Sequence, residues 1–178
     1  MMPCNLILIG YRCCGKTRVG RHLAALKGYD FVDTDAQIES DCGADIDALV
    51  TNKGWLFFRQ TETRILKQLL CQTNQVIATG GGMVLAQENR ILMKKNGFVI
   101  WLTADPATIV QRLKADPQTL SHRPRFTARS LGDETRQALT KRIPLYEDLT
   151  DMTVDTTTGH SPREIAVIIK RRLDHVRI

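Results

Sequence analysis

The sequence predicts an α/β fold of three layers, a doubly wound, five-stranded parallel sheet with helices on both faces. Three observations predict it. Short apolar runs recur along the 178 residues with helix-period segments between them. The runs lack the polar–apolar alternation of a half-exposed sheet, as expected of parallel strands covered on both sides. The first run leads straight into a glycine-bearing loop and then a helical segment, the opening of a doubly wound sheet.

The strand candidates are Asn5–Ile9, Tyr29–Val32, Gln75–Ala78, Phe98–Leu102 and Met152–Val154. Lys16–Lys27 carries apolar residues at Val19, Leu23 and Leu26, which share one helical face. Asp45–Asn52, Leu56–Leu70, Gln87–Lys95, Ala107–Ala115, Asp133–Asp148 and Pro162–Leu173 have helical character as well. Asp105-Pro106 and Ser161-Pro162 each set a capping residue before a proline at the first helical position, where its missing N–H costs nothing. Neither an internal repeat nor a low-complexity segment is present, and the length suits one domain.

Gly10-Tyr-Arg-Cys-Cys-Gly15-Lys16-Thr17 reproduces the pattern G-x-x-x-x-G-K-[ST] between the first strand and the first helix. Backbone N–H groups of such a loop wrap phosphate oxygens, and the helix behind it aims its positive end at them. Lys16 is placed to reach the outer phosphates and Thr17 to ligate a magnesium ion. Cys13, Cys14, Gly15, Lys16, Thr17 and Arg18 are the candidates for nucleotide contact, with ATP and Mg²⁺ as the implied co-substrate and cofactor.

Two further segments lie at the carboxyl ends of predicted strands, where open α/β sheets place ligands. Asp33-Thr34-Asp35 offers two carboxylates one residue apart, one to assist the metal and the other to orient or deprotonate an attacking hydroxyl. A cap on the following helix is the competing reading for Asp35. Thr79-Gly80-Gly81-Gly82 is either a flexible turn or a wall that a ligand approaches closely. Residues 116–130 break the βα rhythm with prolines and three arginines, and are read as a lid over the nucleotide or as a solvated loop.

Composition excludes other classes. No apolar run approaches the roughly 18 residues of a spanning helix, and the first residues lack a signal peptide's basic and long apolar regions. Five cysteines without a C-x-x-C pair suggest neither a disulfide framework nor a zinc site, and reduced thiols fit a cytoplasmic location. The net charge of +6 is spread along the chain and only Lys170-Arg-Arg172 looks like a patch, at a helix end where cations favour the dipole. Nucleic-acid and membrane partners are not expected. A GTP-operated switch is excluded by the absence of N-K-x-D and D-x-x-G.

Six ordered motifs together resemble the shikimate kinase family: residues 10–17, Asp33-Thr-Asp35, Phe58-Arg59 with Glu62, Gly80-Gly-Gly82, Arg123-Pro124, and Lys141-Arg142-Ile-Pro-Leu-Tyr146. The resemblance implies a P-loop fold of the nucleoside monophosphate kinase-like type, one kinase domain over residues 1–178, an acceptor-binding region at about 33–61 and a lid at about 116–130. It implies transfer of the ATP γ-phosphate to the 3-hydroxyl of shikimate, on the route to aromatic amino acids, by a monomer. By the same resemblance Asp35 contacts the acceptor hydroxyl and Asp33 lies near the metal. Arg59, Arg142 and the run Gly80, Gly81, Gly82 hold the acceptor carboxylate, Arg123 approaches the ATP phosphates and Arg112 lies against adenine. A related gluconate kinase shares the fold but does not call for both Arg59 and Arg142.

The chain departs from the family pattern at Cys13, where glycine is common, at Trp55, where glutamate is frequent, and at Arg125 in the lid. Pro144 is expected to end or kink a helix and so turn Arg142 inward. Cys13 and Cys14, near Lys16 and a helix N-terminus, suggest thiols of lowered pKa and sensitivity to alkylation.

Overall fold

The computed structural model describes residues 5–116, 130–157 and 159–176. Its five strands are β1 (Asn5–Ile9), β2 (Asp30–Asp33), β3 (Gln75–Ala78), β4 (Gly97–Thr103) and β5 (Met152–Asp155). They form one parallel sheet in the order β2-β3-β1-β4-β5. β1 lies at the centre, where the strand order reverses, so its carboxyl end opens on the crevice in which doubly wound folds bind ligands. Register aligns the site: Asp33 pairs with Ala78 and Ala78 with Leu8, which brings the ends of β2, β3 and β1 to one level.

β1 alternates between two cores. Leu6 and Leu8 join Leu23, Ile100, Leu102, Ile165 and Ile169 on one face. Ile7 and Ile9 meet Leu66, Met83, Val99 and Tyr146 on the other. Each fully buried Leu or Ile contributes about 1.5–3 kcal/mol, so this central strand is the best-anchored element of the sheet. Helices α1 (Lys16–Lys27), α5 (Pro106–Ala115) and α7 (Pro162–Val176) cover the first face. Helices α3 (Ile46–Leu69) and α4 (Gln87–Asn96) cover the second.

The capping signals hold. Asp105 accepts from Thr108 N, Ser161 and Glu164 cap α7 reciprocally, and Asp45 accepts from Ala48 N. Segments 45–52 and 56–70 are two arms of α3 that meet at Gly54, whose φ of 81° and ψ of 166° only glycine adopts cheaply. The bend delivers Trp55, Phe58 and Arg59 to the carboxyl edge of the sheet. The sequence reading missed α2 (Thr34–Cys42). Its buried residues are Thr34 and Ile38 alone, too few for a helical stripe.

Helix α6 (Leu131–Leu149) runs through Pro144 without ending there, so of the two expected outcomes, an end or a kink, the end does not occur, while Arg142 is turned inward as expected. The proline leaves the Thr140 carbonyl without its usual bond, a cost of about 3 kcal/mol. Packing offsets it: Leu139 enters the first core and Tyr146 and Leu149 the second. The helix therefore passes from one layer to the other, and Arg142, midway between those anchors, faces the sheet edge.

Candidate active site

The phosphate loop joins β1 to α1. Gly15 occupies the N-cap of α1 with φ 93° and no side chain to cap it, so the first N–H groups of the helix are left for an anion. Lys16 is only 8% exposed and its ammonium donates to the carbonyls of Gly10 (2.9 Å) and Tyr11 (2.8 Å). Cys13 adopts φ 61°, the left-handed conformation that glycine favours, so the departure at this position keeps the loop's shape. Arg112, reaching over from α5, donates to the Cys13 carbonyl (3.3 Å) and to Thr156 Oγ1 (3.1 Å) and O (2.5 Å). Thr156 in turn donates to the Cys14 carbonyl at 3.2 Å. Arg112 and Thr156 thus brace the loop from behind. Arg18 is exposed on α1.

Cys14 is buried in the first core, and burial pushes its thiol pKa up despite Lys16 and Arg112 nearby. Desolvation outweighs the charges, so the expectation of a lowered pKa fails for Cys14.

Beside the loop, the Thr17 hydroxyl donates to Asp33 Oδ2 at 2.7 Å, while Asp33 Oδ1 accepts from Asp35 N at 3.0 Å. Asp33, and not Asp35, is therefore the cap of α2. That frees the Asp35 side chain from the capping role and turns it to the neighbouring cleft.

This cleft is lined by Arg12, Asp35, Trp55, Arg59, Glu62 and Arg142 together with Ile46, Phe58 and Gly80 to Gly82. Arg59 donates to Glu62 Oε2 at 2.5 Å and stacks on Trp55 (5.2 Å) and Phe58 (5.3 Å). Glu62 is almost wholly buried, and the Arg59 guanidinium balances its charge. Arg142, also buried, donates to the Gly81 carbonyl at 3.0 Å, as does the Tyr146 hydroxyl at 2.8 Å. Each glycine of the run admits a different neighbour. A Cβ at Gly80 would fall 2.5 Å from Asp35 Oδ1, at Gly81 3.1 Å from Arg12 N, and at Gly82 2.6 Å from Arg59 Nη1. Any side chain here would displace the carboxylate, the phosphate loop or the guanidinium.

The shikimate kinase family model matches residues 12–174. The chain belongs to the shikimate kinase family. It is 41% identical over 152 residues to shikimate kinase 2 of Dickeya chrysanthemi, an alignment covering 85% of this chain and 87% of that one. It is 40% identical over 145 residues to the shikimate kinase of Nitratidesulfovibrio vulgaris, covering 82% of each. Among solved structures, the shikimate kinase of Acinetobacter baumannii in complex with shikimate superposes with a TM-score of 0.92 at 33% identity, over 99% of this chain and 96% of that one. The shikimate kinase of Aquifex aeolicus gives 0.82 at 29% identity, over 98% of both.

For a shikimate kinase, the geometry groups the residues of the sequence reading into two neighbouring sets. Cys13 to Thr17, Asp33 and Arg112 surround the phosphate loop, and Asp35, Arg59, Gly80 to Gly82 and Arg142 line the cleft. Arg123 and Arg125 lie outside the described residues, as does most of the expected lid. Shikimate kinases use ATP and Mg²⁺, and the oxygen donors of Thr17 and Asp33 suit that hard cation. No cluster of three or more His, Cys, Asp or Glu side chains placed to hold a metal exists among the described residues.

Sequence reasoning gave no role to Arg12 or Glu134, and quoted Tyr146 within its motif without one. Arg12 lines the cleft and pairs at 2.6 Å with Glu134, both side chains largely buried. Arg12 and Arg142 also pack on the same Tyr11 ring, at 5.6 and 5.3 Å. Arg12 occupies a variable position of the loop pattern, and Glu134 lies 122 residues away on α6, so no spacing rule could connect them.

Proposed function

We propose a division of labour among these residues for the shikimate kinase reaction. The enzyme transfers the γ-phosphate of ATP to the 3-hydroxyl of shikimate, giving shikimate 3-phosphate and ADP. Phosphoryl transfer needs positioning and charge neutralisation rather than a covalent intermediate. The observation that carries the assignment is the position of Asp35 and two arginines around a glycine wall, with Gly81 packed against the backbone of the phosphate loop.

On the donor side, the N-terminus of α1 and the loop N–H groups receive the β- and γ-phosphates, and Lys16 supplies positive charge to the outer oxygens. Thr17 and Asp33 would hold Mg²⁺, which would supply charge neutralisation to the phosphates. Arg112 braces the loop and offers its guanidinium face to the adenine.

On the acceptor side, Arg59 and Arg142 present planar forks to the shikimate carboxylate, a geometry that lysine cannot copy. The backbone of Gly80 to Gly82 closes one side and Asp35 accepts the proton of the attacking hydroxyl. Trp55, Phe58 and Ile46 supply the apolar wall on which a six-carbon ring rests.

The acceptor-binding region spans about 33–61 and is completed by Gly80 to Gly82 and Arg142, with Glu62 beside Arg59 in the same cleft. We propose a cytoplasmic monomer with no nucleic-acid partner. No helix among the described residues is long and apolar enough to cross a membrane. A coupled assay of ADP release tests the function: turnover should depend on shikimate, and turnover with another small hydroxy compound but not with shikimate would overturn it.

A further inference from the structure

Tyr146 belongs to no substrate contact described above, yet its hydroxyl ends at the acceptor wall. Its ring is 1% exposed and stacks on Trp101 at 5.6 Å with 25° between the planes. Trp101 lies on β4 opposite Ile9, and its Cδ1 is 3.5 Å from where a Cβ on Gly10 would sit. The ring pair therefore packs beneath the start of the phosphate loop. From this fixed base the hydroxyl donates to the Gly81 carbonyl, which also accepts from Arg142.

A carbonyl oxygen has two lone pairs, and here two donors from successive turns of α6 use both. Peptide planarity then turns the Gly82 N–H away from those donors. That peptide leads into Gly82, where a Cβ would fall 2.6 Å from Arg59 Nη1. A single acceptor atom thus fixes the Arg142 fork and the plane of the glycine wall. Burial raises the phenol pKa, so the hydroxyl stays a neutral donor over the working range.

We propose that Tyr146 is a positioning residue for the acceptor carboxylate: through the shared Gly81 carbonyl its hydroxyl holds Arg142 and the Gly81–Gly82 peptide in the geometry that receives that group. The proposal rests on the assignment of Arg142 to the shikimate carboxylate. Without the hydroxyl, Arg142 keeps its bond to the Gly81 carbonyl and its contact with the Tyr11 ring, but that carbonyl loses its second donor, so the fork is held less firmly in direction while its charge remains.

The test compares shikimate with its carboxamide analogue in the wild-type enzyme and in Tyr146→Phe, which retains the ring and its stack on Trp101. Steady-state kinetics should show the wild type preferring the carboxylate by 100-fold or more in kcat/KM, and Tyr146→Phe reducing that preference about tenfold. The shikimate KM rises with it and the ATP KM stays within twofold. If the wild type itself does not discriminate, the carboxylate assignment of Arg142 fails. If the wild type discriminates and Tyr146→Phe discriminates equally, the positioning role fails, whatever happens to thermal stability. Trp101→Phe loosens the same ring pair but keeps the hydroxyl, and should preserve the preference. Should Tyr146→Phe prove insoluble, this second variant decides alone: a collapsed preference there assigns the effect to core packing and overturns the proposal.

Discussion

The Thr17 hydroxyl and the Asp33 carboxylate meet at 2.7 Å, joining the first turn of α1 to the end of β2. The two oxygens of Asp33 have separate tasks, since Oδ1 caps α2 through Asp35 N while Oδ2 faces Thr17. Asp33→Asn separates them. The amide oxygen can keep the cap, but the NH₂ group neither accepts from Thr17 nor ligates a cation. The magnesium concentration for half-maximal rate should rise on the order of 10–100-fold with little change in thermal midpoint. Asp33→Ala should add a stability loss of about 1 kcal/mol from the missing cap. A magnesium titration of activity beside a thermal melt checks both, and an unshifted titration for Asp33→Asn would remove Asp33 from the metal site.

How much of this site was legible in the sequence follows from how local each signal is. The phosphate loop and the glycine run are contiguous, and they follow strands whose apolar runs mark them. Whether Asp35 caps or stays available to a ligand is open in the sequence, because both aspartates are plausible caps and only the turn geometry gives the role to Asp33. Helix α2 was invisible because it buries a threonine and one isoleucine. The pairing of Arg12 with Glu134 depends on α6 crossing from one core to the other, a tertiary property that no window of sequence contains. The same crossing explains why Pro144 fails to end its helix: packing of Tyr146 and Leu149 outweighs the local penalty.

Arg59 illustrates why lysine is not a neutral replacement. Its guanidinium already bonds Glu62 and stacks on Trp55 and Phe58, and a fork can do this while still presenting N–H groups to a carboxylate. In Arg59→Lys a single ammonium must choose between Glu62 and the substrate. The shikimate KM should rise roughly 10–100-fold, or about 1.4–2.7 kcal/mol, with ATP KM unchanged. Steady-state kinetics with each substrate varied in turn decides it, and an altered ATP KM with unchanged shikimate KM would reverse the assignment.

Cys14 of the phosphate loop and Cys71 beyond α3 have a testable order of reactivity. Burial raises the Cys14 pKa, so at neutral pH the group stays protonated, and the thiolate is the reactive form. Raising the pH toward that elevated value should begin to expose reactivity only in strongly alkaline solution. Cys71, exposed at the end of α3, has no such barrier to access. Brief iodoacetamide treatment near pH 7.5 followed by peptide mass spectrometry should modify Cys71 and leave Cys14 intact. Rapid labelling of Cys14 in the folded enzyme would show that the loop opens far more readily than its packing implies.

Lys16 combines two roles that a single substitution can resolve. Its ammonium bonds the Gly10 and Tyr11 carbonyls, so Lys16→Ala leaves both without that donor, at a stability cost of roughly 1–3 kcal/mol. The same substitution removes positive charge from the transferring phosphate, where an interaction made mainly in the transition state is worth about 3–4 kcal/mol, or a factor of 10²–10³ in kcat. A purely architectural lysine would lower the thermal midpoint and raise the ATP KM while sparing kcat at saturating ATP. The expected outcome is the opposite weighting: kcat falls at least 100-fold at 15 °C, well below the melting transition, with the protein folded by circular dichroism. Near-normal kcat under those conditions would confine Lys16 to shaping the loop.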